Sequence, residues 1–288
     1  MSGSVRPASD TRGILLMIAA VFFFTLMDVA GKGIAQQTDT VMALWARYVG
    51  QTVAVLLVVS PRLRRVLRTR YPWLQLLRSV FLLGATCAFF FGFVLIGLAN
   101  ATAIMNVNPV LITLGAALFL KERFGPRRAI GVIAALIGAL IIIRPGSAVF
   151  SAAAALPLLA AVMYSAYALT TRFVGKGEDA WTSLLYTAAF GSVVLSLIVP
   201  WFWVTPDAGT VALMIVIGLF GAAAHYCLIH ALMSAEAGTI APFAYAGLIF
   251  ATIWGMVFFG EFPDGATYLG ALVIVTAGIY VWHRETKS

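Results

Sequence analysis

The chain has 288 residues, of which 62% are hydrophobic and 10% are charged, with a mean hydropathy of +0.99 and a formal net charge of +8. A soluble domain is about 45–50% apolar and about 25% charged, so the composition excludes a water-soluble fold and predicts an all-α polytopic protein in a lipid bilayer. The apolar runs lack the alternation of a membrane β-barrel, and the positive charge lies in the loops, where it indicates orientation and not a nucleic-acid partner.

Ten apolar segments approach the length of about 20 residues that a membrane-spanning helix needs. In chain order they are 13–34, 41–60, 72–96, 101–120, 127–144, 153–174, 180–203, 209–233, 239–259 and 264–283. The polar segment 1–12 leads directly into the first of them, which we expect to be an anchor that is retained and not a signal peptide. Cys87 and Cys227 lie inside apolar runs, so they predict buried thiols and neither a disulfide nor a metal site.

The basic residues predict the orientation of these helices. Fifteen of the 19 Lys and Arg residues fall in the terminal tails and the even-numbered loops, whereas Lys32 and Arg144 are assigned to odd-numbered loops. Basic loops stay in the cytoplasm, so ten crossings with both termini cytoplasmic are expected. The most basic loop, 61–71, is interpreted as a cytoplasmic segment that contacts anionic lipid.

One segment of the chain occurs twice, 139 residues apart. Glu122 and Glu261 each close an apolar stretch, and each is followed nine residues later by a glycine, Gly131 or Gly270. A repeat of five helices enters the membrane upside down in its second copy, as in many secondary transporters. The predicted organisation is a tail at 1–12, a first repeat at 13–144, an inverted second repeat at 145–283 and a tail at 284–288.

This pattern resembles the EamA family of the drug/metabolite transporter superfamily, and in general appearance the YddG-type amino-acid exporters. The matching residues are Lys121, Glu122, Gly131 and Gly138 in the first half and Gly260, Glu261, Gly270 and Gly278 in the second. The resemblance implies that helices one, three, four, six, eight and nine line a central cavity. It also implies outward transport and a location in the bacterial inner membrane.

Two ionisable residues lie deep in the first two helices. Asp28 and Arg47 are both placed about 9–10 Å below the outer surface, at 1.5 Å of rise per residue. Antiparallel neighbours at equal depth can pair, so an Asp28–Arg47 ion pair is predicted, with either a locking or a gating role. Lys32, one turn after Asp28, is a rival partner.

Three side chains of helix eight are candidates for substrate binding: His225, Tyr226 and His230. Tyr226 and His230 are four residues apart and share a helix face. The imidazoles could shuttle protons, bind a substrate carboxylate or simply pack between helices. A metal site is not expected, because the two histidines point about 140° apart and no Cys, Asp or Glu joins them.

Pro109 and Pro242 are predicted to kink helices four and nine. A proline leaves a carbonyl free one turn earlier, which a membrane protein tolerates where that carbonyl lines a cavity or finds a neighbour. Asn106 and Tyr245 match each other at the offset of 139 residues, so both are candidates for lining the cavity. Tyr164, Phe90 and Trp254 are the aromatic side chains expected to join them.

Small residues on helices five and ten, around Gly138 and Gly270, predict close helix contacts within the chain or in a homodimer. Glu122 and Glu261 are expected to cap the helices that follow them.

The function that fits these features best is a secondary transporter exporting small metabolites, most of all aromatic or apolar amino acids and methionine. Alternatives are a drug, sugar or nucleotide-type metabolite carrier, an integral membrane enzyme acting on lipids, and a scaffold without a cavity. Polar residues are scattered over several helices and no phosphate-binding loop occurs, so neither an enzyme, nor ATP-driven transport, nor a cofactor is expected.

Overall fold

The computed structural model describes residues 7–120, 126–143, 152–175, 177–234 and 241–285. Within these ranges the chain is helical and contains no strand. The helices are α1 (Pro7–Gln37), α2 (Thr40–Val59), α3 (Leu63–Val66), α4 (Pro72–Ile96), α5 (Leu98–Met105), α6 (Asn108–Leu120), α7 (Pro126–Ile143), α8 (Ala155–Gly175), α9 (Ala180–Ile198), α10 (Ala208–Ser234), α11 (Ala246–Phe259) and α12 (Gly265–Glu285).

Several of these helices can cross a bilayer. In the described part of the chain, five helical stretches are long and apolar enough: Thr11–Gln37, Thr40–Val66, Pro72–Ile96, Ala180–Phe202 and Ala208–Ala231. Four shorter apolar helices accompany them: Leu98–Ile112, Ala155–Thr171, Phe243–Phe259 and Gly265–Ala277. The chain is therefore a multi-pass helical membrane protein, while the full number of ten crossings stays a prediction.

Aspartates in the loops begin four of the helices. Asp39 accepts the backbone N–H of Val41 at 2.7 Å, and Asp179 accepts that of Trp181 at 3.0 Å. Asp207 and Asp264 do the same for α10 and α12, at 2.7 and 2.9 Å. A carboxylate satisfies an N–H group that the first turn leaves unpaired and faces the positive end of the helix dipole. Asp207 accepts its hydrogen bond from the backbone N–H of Thr210, and this bond holds the pKa of the exposed Asp207 below its usual value.

The main contacts between helices join the first half of the chain to the second. Helix α1 packs against α10, α4 against α8, α7 against α12, and α2 against both α9 and α10. If the two halves of the chain are aligned as repeats, α1 corresponds to α8 and α4 to α10. The contact of α1 with α10 is therefore equivalent to the contact of α8 with α4. The core therefore lies between the two halves, as expected for two similar copies that face each other.

Helices α7 and α12 approach closely because glycines face each other. A Cβ atom added to Gly138 would lie 2.8 Å from the carbonyl oxygen of Gly270 and 2.7 Å from Cγ1 of Ile274. Small residues let helix backbones touch, which favours association inside a membrane. This glycine contact lies within the chain.

Candidate functional site

Arg47 of α2 lies at the centre of a buried polar cluster. Its side chain is 3% exposed, and its Nε donates to the sulfur of Met27 at 3.1 Å. The guanidinium lies over the rings of Tyr48 and Phe90, 5.0 and 5.7 Å from their centroids. Its Nη1 has no hydrogen-bond partner among the described residues. Because thioethers and ring faces are weak partners for a cation, this guanidinium can still bind a strong acceptor.

The predicted ion pair between Asp28 and Arg47 is not formed. Among the described residues, the ion pair is between Lys32 and Glu261. Asp28 is 7% exposed, and the charge of Arg47 acts on it electrostatically, yet no hydrogen bond joins the two side chains. Equal depth in neighbouring helices did not bring the groups into contact, because the rotation of each helix about its axis also has to match.

Gln51 and His225 complete the cluster around Gly221. Gln51 lies one turn after Arg47 on α2 and is 1% exposed, and its Oε1 has no partner in the described part of the chain. The Nδ1 of His225 lies 3.0 Å from the carbonyl oxygen of Gly221, and its Nε2 likewise has no partner among the described residues. We call Asp28, Arg47, Gln51 and His225 the Arg47 cluster. It contains both donors and acceptors that the described part of the protein leaves unsatisfied, which buried polar groups seldom tolerate.

Aromatic side chains border this cluster. Phe90 is 1% exposed and faces Arg47, as does Tyr48, whose hydroxyl lies 3.1 Å from Oγ1 of Thr86. The ring centroid of Tyr164 of α8 lies 5.7 Å from that of Tyr167. We call Tyr48, Phe90, Tyr164 and Tyr167 the aromatic wall. It is built from α2, α4 and α8, and so from both halves of the chain.

A second buried cation lies at the far side of the aromatic wall. Arg78 of α4 is 0% exposed, and its guanidinium lies 5.2 Å from the ring centroid of Tyr167. Its Nε donates to Thr171 Oγ1 at 2.9 Å and its Nη1 to Gln75 Oε1 at 2.6 Å, while Nη2 is unpaired. The amide of Gln75 donates in turn to Ser183 at 3.2 Å. These bonds join α4 to α8 and α9 across the two halves.

Tyr226 and His230 are not part of the Arg47 cluster that contains His225. The ring centroids of Tyr226 and His230 lie 4.3 Å apart, and the ring of Tyr226 lies 5.2 Å from that of Trp181. Tyr226 is 40% exposed and continues a row with Leu219 and Ile215, which are 55% and 59% exposed. Because residues 225 and 226 point about 100° apart on a helix, the structure turns Tyr226 to the outside of α10 when His225 faces inward.

The two predicted kinks lie at breaks between helical segments. Helix α5 ends at Met105 and α6 begins at Asn108, immediately before Pro109. In the second half, Pro242 lies in the 3-10 turn Ala241–Tyr245 that precedes α11. Asn106 donates to the carbonyl of Thr102 at 2.8 Å, whereas the hydroxyl of Tyr245 is buried and unpaired. The paired positions Asn106 and Tyr245 thus both lie where regular helix is interrupted.

Trp254 lies away from the Arg47 cluster, among other rings. Its ring centroid is 6.2 Å from that of Phe22 and 5.9 Å from that of Phe258. Its indole nitrogen is buried and has no partner. The aromatic candidates named from the sequence therefore fall into two groups, with Phe90 and Tyr164 near Arg47 and Trp254 against α1.

Glu261 joins three helix ends at one end of the bundle. Its carboxylate binds the Nζ of Lys32, and its Oε2 accepts the backbone N–H of Leu98 at 2.8 Å. Lys32 lies inside α1 and not in a loop as expected, because α1 extends to Gln37. Glu261 therefore caps α5 from a distance, and Asp264 takes the expected role at the start of α12. Glu122, the matching residue of the first half, lies outside the described residues.

The roles of Gln51 and Gln75 and the Lys32–Glu261 contact were not predicted from the sequence. Gln51 is one helical turn from Arg47, and Gln75 is three residues from Arg78, inside otherwise apolar helices. Polar residues at these spacings share a helix face, so the spacing was a usable signal for both glutamines. No comparable signal existed for Lys32 and Glu261.

Comparison with known proteins supports one family. The profile of the EamA-like transporter family matches residues 11–144 and again residues 151–282. A solved crystal structure matches with a TM-score of 0.70 at 16% identity, covering 96% of this chain and 99% of the other, which supports the fold alone.

Named relatives from bacteria align over nearly the whole chain. A riboflavin transporter of Rhizobium johnstonii is 31% identical, over 99% of this chain and 95% of the relative. An S-adenosylmethionine uptake transporter of Rickettsia prowazekii is 24% identical, over 96% and 94%. The pseudopaline exporter of Pseudomonas aeruginosa is 27% identical, over 93% and 94%. These matches confirm the resemblance drawn from the repeated Glu and Gly residues and the interpretation as a transporter and not an enzyme. The chain belongs to the EamA-like transporter family.

Proposed function

We propose that this protein is a secondary transporter of the bacterial inner membrane that carries a small aromatic metabolite between its two halves. We also propose that the chain crosses the membrane ten times, with both termini in the cytoplasm. The observation that carries it is the Arg47 cluster beside the aromatic wall. Buried polar groups without partners are costly, and a ligand that supplies those partners recovers the cost.

The leading substrate class is a flavin-like heteroaromatic molecule. Riboflavin has a planar ring system with a uracil-like edge of two carbonyl acceptors and one N–H donor. The free Nη1 of Arg47 can donate to one of these carbonyls, the free Oε1 of Gln51 can accept the N–H, and the ring can stack on Tyr48 or Phe90. Relatives named riboflavin transporters from Rhizobium johnstonii and Brucella anthropi, 31% and 27% identical, support this class.

Export of an aromatic or apolar amino acid, or of methionine, is the second candidate. Asp28 and Arg47, an acid and a base, are both buried and do not form an ion pair with each other. A zwitterion could therefore place its ammonium group at Asp28 and its carboxylate at Arg47. A phosphorylated sugar fits less well, because it has no aromatic ring to stack on the aromatic wall.

Alternating access is the proposed mechanism, because contacts between the halves hold both ends of the bundle. At one end Glu261 of the second half binds Lys32 and Leu98 of the first. At the other, Glu178 accepts the backbone N–H of Arg70 at 3.1 Å, and Tyr186 donates to the carbonyl of Leu67 at 2.9 Å. Rocking of the halves would break one set while keeping the other, exposing the centre to one side at a time.

Counterflow into liposomes that contain the purified protein tests the proposal. Vesicles loaded with unlabelled riboflavin should accumulate labelled riboflavin, whereas protein-free vesicles should not. An Arg47→Ala variant should lose this uptake, while Arg64→Ala, in the short helix α3, should keep it. The same vesicles loaded with phenylalanine or methionine test the second candidate. Absence of counterflow for riboflavin and for every amino acid would refute the proposal.

A further inference from the structure

The buried charges of the described residues leave two cations, Arg47 and Arg78, without a bound anionic partner. The buried Asp, Glu, Lys and Arg residues of the described chain are Asp28, Lys32, Arg47 and Arg78. Lys32 is bound to Glu261, and Arg47 forms no ion pair with Asp28. Among the described residues, Arg78 has only neutral hydrogen-bond partners, Gln75 and Thr171. No anion of this part of the chain therefore compensates the charge of Arg78.

An uncompensated guanidinium inside a membrane protein is expensive. A charged side chain deep in the bilayer costs about 2.5–3.5 kcal/mol on insertion scales, and more where it is sealed from water. Neutral partners satisfy two of the three nitrogens of Arg78 and leave Nη2 unpaired. A carboxylate or phosphate group would supply both the missing acceptor and the missing negative charge, and the planar guanidinium suits either.

The surroundings of Arg78 indicate what kind of anion could reach it. Arg78 lies against Tyr167, and Arg47 lies over Tyr48 and Phe90, so each guanidinium contacts the aromatic wall. A molecule lying along the aromatic wall would thus have a guanidinium at each end. The bonds of Arg78 to Thr171 and of Gln75 to Ser183 join the two halves, so separation of the halves at this end would uncover the guanidinium.

We propose that Arg78 binds the anionic group, a carboxylate or a phosphate, of the aromatic molecule that occupies the wall. This inference rests on the proposed transport function and narrows its substrate class, because neutral riboflavin has no such group. An aromatic acid or a phosphorylated flavin has one. Arg78 binds the anion, and Arg47 and Gln51 then bind the opposite, polar end of the molecule.

Three probes that share one ring test the proposal: benzoate, phenyl phosphate and neutral benzamide. Thermal unfolding of the full chain in detergent is followed while each probe is titrated at constant sodium chloride. A ligand that binds the folded state raises the unfolding temperature in a saturable way. We expect benzoate or phenyl phosphate to stabilise the wild-type protein and benzamide to have no effect. The stronger of the two anions identifies the group as carboxylate or phosphate.

Variants assign the effect to Arg78. Arg78→Gln should abolish the response to the anion, and Arg78→Lys should weaken its apparent affinity about tenfold, because lysine lacks the planar fork. Thr276→Val, at an exposed position of α12 where the hydroxyl bonds to the carbonyl of Leu272 in its own helix, should keep the response. If Arg78→Gln does not fold, Arg78→Lys decides the matter, and an unchanged affinity there overturns the proposal.

Other outcomes also overturn it. Equal stabilisation by benzamide would mean that the ring alone binds, and loss of the response in Arg47→Gln but not in Arg78→Gln would assign the anion to Arg47. No response to any probe would end the inference about Arg78. The proposed transport function would still be tested independently, by the counterflow of riboflavin and amino acids.

Discussion

The carboxylate of Glu261 binds the ammonium group of Lys32 across 229 residues of sequence. The same carboxylate accepts the backbone N–H of Leu98, so one side chain from the second half holds α1 and α5 of the first. Lys32 is nearly fully buried, and Phe259 lies 4.6 Å from its Nζ. This contact closes one end of the bundle.

Replacing Glu261 by glutamine should destabilise the protein, because Lys32 would keep its charge in a buried position. We expect the free energy of unfolding to fall by about 2 kcal/mol, below the range of about 3–5 kcal/mol for fully buried pairs, since Glu261 is 27% exposed. Chemical unfolding in detergent micelles measures the change.

A double variant distinguishes this ion pair from a general effect of the substitution. Lys32→Met combined with Glu261→Gln should lower the free energy of unfolding by less than the sum of the losses in the two single variants. Asp207→Asn is a matched control, because Asp207 caps only its own helix α10 and is exposed. Additive effects of the two single variants would show that Lys32 and Glu261 are not coupled.

Gly97 should not tolerate a side chain. Its φ of 87° and ψ of 152° lie in a region that is almost confined to glycine, and an added Cβ would lie 3.3 Å from the carboxylate of Glu261. We expect Gly97→Ala to lower the free energy of unfolding by about 1–3 kcal/mol. Gly265→Ala, where nothing lies within 4 Å of the added Cβ, should change it little. Equal unfolding midpoints for the two variants would contradict the assigned role of Gly97.

Replacement by leucine should affect transport at Gln51 and stability at Gln75. Both are buried glutamines, but Gln75 bonds to Arg78 and Ser183, whereas Gln51 makes no hydrogen bond to any described residue. Gln51→Leu should leave the stability unchanged or slightly higher and raise the KM for the transported substrate about tenfold, while Gln75→Leu should cost about 2 kcal/mol of stability. Unfolding curves and transport kinetics on the same preparations give both numbers. A stability loss in Gln51→Leu with an unchanged KM would show that Gln51 is a structural residue.

Gly138→Leu should disrupt the contact between α7 and α12, because its side chain would meet the backbone of Gly270. Overpacking of this kind costs about 1–3 kcal/mol. If the contact lies within one chain, the loss should not depend on protein concentration. Ile133→Leu, at an exposed position of the same helix, is the matched control. A loss that grows on dilution, with a shift in molecular mass, would place the glycines in a homodimer instead.

The amino-acid sequence by itself determined the class of protein and much of its layout. Apolar runs of helical length can only be membrane helices, because no soluble core could bury so much apolar surface. Helix α4 begins and ends where the sequence predicts, between a proline and a glycine. The repeated Glu and Gly residues gave the family, because a duplicated segment keeps its spacing whatever its surroundings.

Only the tertiary structure decided which polar groups meet. The sequence correctly placed Asp28 and Arg47 inside neighbouring helices, yet the ion pair that forms is Lys32 with Glu261. It also grouped Tyr226 with His225, although the fold turns the first outward and the second inward. Helical periodicity fixes the depth of a residue and the neighbours on its own face, but the rotation of a helix and the choice of its partners depend on packing with distant segments. Lys32 and Glu261 therefore meet through the packing of both halves, which no local pattern in the sequence records.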